Sequence, residues 1–343
     1  MRSDLPAGIP GESAQPENPG EPAQPENPGE PAQLEKPEEP AQPEELAQPE
    51  GPAQLERPGE PAQPDEPEKR KRRAGRNLPA AILVGLVLGG VAILTLFTVK
   101  ATFLGLAAVV VGAALWELTR AVAERQVRVP IIPVAAGGLV ALVLSYWKGE
   151  RAALASIALT VMAILAWRLV GGAAGYLRDV TAGTFALCYL PLPACFVGLM
   201  LAPHDGPKRI LVFLILTVCC DVGGYAAGIT IGRHLMAPAI SPKKTWEGFG
   251  GSALFCLLGG AISLPVLLHG AIWQGLLIGA AALAAAALGD LVESMIKRDL
   301  EIKDMGSVLP GHGGILDRID AMLITAPVTW LLLLVFVPVA HQG

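Results

Sequence analysis

Apolar residues dominate the chain from residue 80 onwards, in runs that short polar stretches separate. The runs lie near residues 80–99, 102–119, 131–147, 152–171, 180–202, 210–231, 249–268, 270–290 and 315–339. Most of them can cross roughly 30 Å of bilayer hydrocarbon as a helix, in which the backbone polar groups satisfy one another. The pattern therefore predicts an all-α polytopic membrane protein with about nine transmembrane helices over residues 80–340.

The first 68 residues have no such runs and instead repeat a proline-rich nonapeptide. PGEPAQPEN is a typical unit, and the repeat extends over residues 10–66. Prolines remove helix hydrogen bonds, and the segment offers too little apolar area to offset the entropy of ordering. We expect residues 1–68 to form a disordered, acidic Pro/Glu/Gln-rich tail, either simply solvated or docking a protein partner.

Charge divides the chain at the same place. Residues 1–68 carry a net charge of −14 and the remaining 275 residues +9, so a single soluble domain is excluded. Six positive charges occupy KRKRRAGR within the segment 69–79, directly before the first apolar run. A basic cluster can bind nucleic acid, but a juxtamembrane one binds anionic headgroups and stays in the cytoplasm. We interpret residues 69–79 as a membrane anchor and expect no nucleic-acid partner.

Nine spans with this basic segment on the inner side also predict where the other basic residues lie. The outer side receives only Lys100, Lys148, Arg151, Lys208 and Arg209, against eighteen basic residues on the inner side. This bias favours a cytoplasmic N-terminus and an extracytoplasmic C-terminus. We therefore expect a multi-pass protein of the cell (plasma) membrane.

Acidic residues at membrane depth are costly and mark candidate functional positions. Asp221, Asp290, Asp317 and Asp320 all fall at the cytoplasmic ends of predicted spans. Individually, Asp221 could pair with a neighbouring helix, and Asp317 could form a structural ion pair with Arg318. Their clustering at one membrane face nevertheless predicts a polar site there.

The neighbouring loops carry the cations and hydroxyl groups that such a site would use. They supply Ser241, Lys243, Lys244, Ser294, Lys297, Arg298, Lys303, Asp304 and His312. The spacing places Asp290, Ser294 and Lys297 on one stripe of a helix. Carboxylates for a hard cation, with lysine and arginine for phosphates, are typical of phosphoryl or nucleotidyl transfer. Alternatively, the lysines could serve only as positive-inside charges, and His312 could be an ordinary loop histidine.

The stretch from Ser294 to Asp320 fills the pattern S-x-x-K-R-x4-K-D…H-G-G-x-x-D-R-x-D. It resembles the signature of the phosphatidate cytidylyltransferase, or CDP-diacylglycerol synthase, family. The segments DVGGY and SPKKTWEG are also similar to that family, although Gly224 stands where the family usually has alanine. The resemblance covers roughly residues 80–340 and does not extend to the repeat.

The resemblance implies an enzyme that converts CTP and phosphatidic acid into CDP-diacylglycerol and pyrophosphate in the bilayer. It further implies Mg²⁺ held by Asp290 and Asp317, with a second, monovalent cation such as K⁺, and a homodimer. We assign Lys243, Lys244 and Lys297 to the CTP phosphates. His312 and Arg318 are assigned to the lipid phosphate or the transition state. Asp221 and Asp320 are expected to orient these cations or to complete a second cation site.

Two other functions remain compatible with parts of the pattern. A CTP-dependent lipid alcohol kinase could use a similar set of carboxylates and cations, but it would release CDP. A secondary transporter would place its intramembrane carboxylates near the bilayer midplane, on broken helices. Clustering of the aspartates at one face, beside basic loops, favours an enzyme over a transporter.

Overall fold

The computed structural model describes residues 78–237, 241–306 and 313–338, and this part of the chain is nearly all helical. The predicted tail 1–68 and the basic residues 69–76 lie outside the described residues. The helices are α1 Leu78–Thr98, α2 Lys100–Ala123, α3 Ile131–Trp147, α4 Glu150–Leu169, α5 Tyr176–Tyr189, α6 Pro191–Leu201, α7 Gly206–Thr230, α8 Trp246–Leu268, α9 Ile272–Asp299 and α10 Leu316–Phe336. Between α7 and α8, strands β1 Leu235–Ala237 and β2 Ser241–Thr245 form an antiparallel hairpin.

Seven helical segments of the described chain are long and apolar enough to cross a membrane, with Tyr176–Leu201 counted as one. The apolar helices Ile131–Trp147 and Gly89–Thr98 are shorter. Large aliphatic side chains such as Leu154 and Leu159 face outward, where lipid would cover them. The prediction of a helical, multi-pass membrane protein is confirmed at this level.

The fifth predicted run is continuous in sequence but forms two helices. Helix α5 ends at Tyr189 and α6 begins at Pro191, so Pro191 occupies the first helical position. Proline lacks an N–H and restricts the residue before it, which ends the preceding helix. Tyr189 lies at this break, 8% exposed.

Helices α7, α8 and α9 pack consecutively, and α10 packs against α9. Buried apolar side chains form two clusters. One contains Leu118, Leu187 and Leu316 and lies where α2 ends and α10 begins. The other contains Ile210 and Leu333 and lies where α7 begins and α10 ends. The first cluster supports the end of the bundle that carries the candidate site.

Candidate active site

The hairpin that carries the predicted lysines is fixed to the start of α8. Thr245 caps this helix, since its hydroxyl accepts the N–H of Gly248 at 3.1 Å. One Glu247 carboxylate oxygen accepts the N–H groups of Arg233 and His234 at 3.1 and 3.2 Å. The other lies 2.6 Å from His234 Nδ1. Glu247 therefore joins both ends of the hairpin, and β2 is held in a defined position.

Lys244, near the end of β2, reaches Asp290 on α9. Its Nζ donates to Asp290 Oδ2 at 2.5 Å, and each side chain is about one third exposed. Both line a cavity of about 210 Å³ together with Asp221 of α7. Apolar side chains, including Phe249 and Leu283, form much of the remaining wall. The cavity thus combines opposite charges with apolar surface.

Close packing of α9 on α10 brings a second group of charges together. A Cβ at Gly289 would lie 2.6 Å from the Asp320 carbonyl oxygen, so only glycine permits this approach. Lys297 Nζ lies 2.6 Å from both Glu293 Oε2 and Asp317 Oδ1. Asp320 interacts electrostatically with Asp290 and Glu293. Asp290, Glu293, Asp317 and Asp320 therefore form a carboxylate cluster at the junction of α9 and α10.

Asp317 lies in the first turn of α10, and its carboxylate also fixes the preceding segment. Oδ2 accepts the N–H of Gly314 at 2.7 Å, and the N–H of Met305 approaches the two oxygens at 3.2 and 3.3 Å. Gly313 has φ of +83°, a backbone conformation that favours glycine. Helix α10 begins at Leu316, directly after these glycines, which agrees with the apolar run predicted from about residue 315.

The other predicted residues lie around this cluster. Ser294 is half-buried on α9, Arg298 is exposed further along that helix, and Lys303 and Asp304 are exposed in the segment that follows. Arg318 is exposed on α10 and interacts electrostatically with Asp221. Ser241 and Lys243 belong to β2, but their side chains lie outside the described residues, as does His312 entirely.

Two glutamates of this region were absent from the predicted site. Glu293 is 4% exposed and lies between Lys297 and the aspartates. Glu117 of α2 is 2% exposed and accepts the N–H of Leu316. Both lie in or beside apolar runs, so the rule that singled out the aspartates also applies to them. Glu117 lies within the predicted span 102–119, and its depth in the membrane was the available signal.

The donor chemistry of the cluster suits a hard divalent cation. Among the described residues, no three or more His, Cys, Asp or Glu side chains form a ready metal site. Mg²⁺ is commonly bound by one or two carboxylates together with substrate phosphates, which does not require such a site. The buried Glu293 Oε1 also has no hydrogen-bond partner in the described structure. Asp290 and Asp317, with oxygen donors nearby, fit a cation that substrate phosphates would help to hold.

Comparisons with known proteins identify the family of this chain. A model of the cytidylyltransferase family matches residues 79–336. A relative named phosphatidate cytidylyltransferase from Mycobacterium bovis is 40% identical over 280 residues, covering 78% of this chain and 92% of the relative. A relative of the same name from Mycobacterium leprae is 40% identical over 282 residues, covering 77% of this chain and 90% of the relative. A third, from Staphylococcus epidermidis, is 38% identical over 153 residues, covering 43% of this chain and 59% of the relative. The chain belongs to the cytidylyltransferase family.

Proposed function

We propose that this protein transfers the cytidylyl group of CTP to phosphatidic acid, forming CDP-diacylglycerol and pyrophosphate. The observation that carries the proposal is the 40% identity over 280 residues to a relative named for this activity. The site agrees with it, because carboxylates and lysines meet beside an apolar-walled cavity. Such a cavity suits a phosphate that remains attached to a lipid.

The reaction needs alignment and charge neutralisation more than proton transfer. A phosphate monoester has a second pKa of about 6, so the lipid phosphate is already mostly dianionic near neutral pH. One of its oxygens attacks the α-phosphorus of CTP, and the bond from that phosphorus to the bridging oxygen of pyrophosphate breaks. No general base is required, because the attacking oxygen carries no proton. Positioned cations lower the barrier by stabilising the spreading negative charge.

The residues divide into four groups in this proposal. Lys244 and Lys297, with Lys243, donate to the β- and γ-phosphates and to the departing pyrophosphate. Arg318 and His312 orient the lipid phosphate. Contacts with the substrates are assigned to Ser241, Ser294, Arg298, Lys303 and Asp304, and the orientation of cations to Asp221 and Asp320.

Asp290 and Asp317 would hold Mg²⁺, which supplies charge neutralisation at the CTP phosphates when bound. Lys244 and Lys297 pair with these two aspartates in the structure, at 2.5 and 2.6 Å. The aspartates therefore keep both lysines close to the position that the triphosphate would take. A monovalent cation such as K⁺ and a homodimeric assembly complete the proposal, and both follow from the family resemblance.

The proposed topology has nine spans, with α5 and α6 forming one of them, in the cell membrane. Contacts between distant segments support this topology. Each contact joins two helix ends that the nine-span topology places on the same side of the membrane. Arg125 pairs with Glu301 at 2.9 Å on the inner side, and Arg209 donates to the Val337 carbonyl at 2.7 Å on the outer side. The N-terminus and the site then face the cytoplasm, where CTP arrives, and the C-terminus faces outward.

The test uses the purified protein in mixed micelles with phosphatidic acid, Mg²⁺ and α-labelled CTP. We expect label in the lipid fraction and release of pyrophosphate. Asp317→Ala should abolish both, and Glu150→Ala, at an exposed position predicted on the opposite side, should abolish neither. Transfer of γ-label to a lipid alcohol instead would identify a kinase. No transfer from either position of the label would reject the enzyme and leave a transporter.

A further inference from the structure

Glu117 is a buried carboxylate that contacts the site from a helix distant in sequence. It lies on α2 and is 2% exposed. Its Oε2 accepts the N–H of Leu316 at 2.9 Å, across 199 residues of sequence. Its Oε1 has no hydrogen-bond partner in the described residues. A buried carboxylate costs several kcal/mol unless its surroundings compensate, so its position calls for a physical reason.

Gly306 and Gly314, both in the segment between α9 and α10, pack directly on this carboxylate. A Cβ at Gly306 would lie 2.3 Å from Glu117 Oε1, and one at Gly314 would lie 2.5 Å from Oε2. A larger residue at either position would force the carboxylate to move. Glu117 therefore fits between the residues that precede and follow positions 307–312.

The Asp317 carboxylate also contacts this segment, at Met305 and Gly314. It accepts the N–H of Gly314 and of Met305. However, Asp317 also pairs with Lys297 and belongs to the proposed cation site, so its contacts must accommodate substrate. Glu117 is not assigned to substrate or cation binding, so it can hold Gly314 and the start of α10 throughout turnover.

We propose that Glu117 is a positioning residue: it anchors Gly314 and the start of α10, so that Asp317 is correctly placed for the reaction. The consequence for activity rests on the proposed cytidylyl transfer. A misplacement of about 1 Å at such a site can reduce the rate about 100-fold. Removal of Glu117 should therefore reduce kcat/KM for CTP by about that factor.

The first measurement is hydrogen exchange of the full-length protein in detergent, which does not depend on activity. In Glu117→Ala the peptide containing residues 313–318 should exchange faster than in the wild type. Glu117→Gln keeps an oxygen that accepts the Leu316 N–H and should exchange as the wild type does. Glu124→Ala, exposed at the end of the same helix, is the matched control and should also leave exchange unchanged. Unchanged exchange in Glu117→Ala would overturn the proposal.

The second measurement separates positioning from general destabilisation. Turnover is normalised to folded protein, and Glu117→Asp is compared with Glu117→Gln. Positioning through a hydrogen bond of fixed length predicts that Gln retains kcat/KM and that the shorter Asp does not. The reverse order would assign the effect to charge alone and overturn the proposal, as would faster exchange with unchanged turnover. If the wild type transfers no label, the proposed function fails, while hydrogen exchange still decides the anchoring contact.

Discussion

Lys244 and Lys297 each contact an aspartate of the site, but the two pairs differ in exposure. The side chains of Lys244 and Asp290 are 31% and 33% exposed, whereas those of Lys297 and Asp317 are 18% and 11% exposed. A solvent-exposed pair contributes about 0–1 kcal/mol. Removal of one partner from a buried pair leaves an uncompensated charge and costs about 3–5 kcal/mol. Substitution should therefore affect stability differently at the two lysines.

We expect Lys244→Ala to lose turnover with an almost unchanged free energy of unfolding. Lys297→Ala should lose turnover and also be destabilised by about 3 kcal/mol, because Glu293 and Asp317 lose their shared cation. Denaturation in detergent and label transfer to lipid measure the two effects, with Lys148→Ala as an exposed control. Equal destabilisation by the two site substitutions would contradict this reasoning.

Asp320 should show the opposite relation between stability and activity. Burial is the largest cost of a charge on Asp320, and the nearby carboxylates of Asp290 and Glu293 add to that cost. Asp320→Asn removes this cost and keeps an oxygen for the Ala321 N–H, which Asp320 accepts at 2.8 Å. We expect the unfolding midpoint to rise by about 2–4 °C, which corresponds to about 1 kcal/mol. Turnover should fall. A lower midpoint would show that the carboxylate is stabilising.

At the scale of the elements, the site depends on how closely α9 approaches α10. Gly289→Ala would place a Cβ 2.6 Å from the Asp320 carbonyl and 3.0 Å from Ala321 Cα, well inside normal contact distance. The helices must then separate beside Asp290, and we expect turnover to fall at least about 10-fold. Gly105→Ala is the matched control, since nothing lies within 4 Å of its added Cβ. Activity of Gly289→Ala equal to that of the control would refute this dependence.

Hydropathy predicted the bounds of a helix correctly where a polar residue or a proline flanks the apolar run. The run 131–147 corresponds to α3 Ile131–Trp147, between Pro130 and Lys148. The break between α5 and α6 was not predicted, because residues around Pro191 are apolar on both sides and hydropathy does not change there. The proline was the available signal. The hairpin at 235–245 was treated as a loop, since its strands are too short for an alternating pattern to be recognised.

The aspartates and lysines of the site could be predicted because their depth and spacing are visible in sequence. Which lysine pairs with which aspartate could not, since Lys244 and Asp290 are 46 residues apart and meet only through the packing of α8 on α9. The contact between Glu117 and Leu316 spans 199 residues and has no local pattern at all. Long-range pairing depends on the tertiary arrangement of helices, which periodicity does not specify.

At the scale of the whole molecule, the acidic repeat and the membrane domain should be separable in activity. The family match begins at residue 79, so residues 1–68 lie outside the matched region. Their net charge of −14 is repelled by an anionic bilayer, whereas the six basic charges of residues 69–76 are attracted to it. We therefore expect the basic segment to contribute to orientation in the membrane and the repeat to contribute nothing to catalysis.

Two deletions compare these segments. Removal of residues 1–68 should leave turnover per folded molecule unchanged, because the basic segment and every charged residue of the site are retained. Removal of residues 1–76 should lower the yield of correctly inserted protein, because each lost Lys or Arg forfeits about 1 kcal/mol of attraction to anionic lipid. Label transfer at equal protein level measures the first effect, and protease accessibility from each side of sealed vesicles measures the second. A loss of specific activity in the shorter deletion would instead give the repeat a direct part in the reaction.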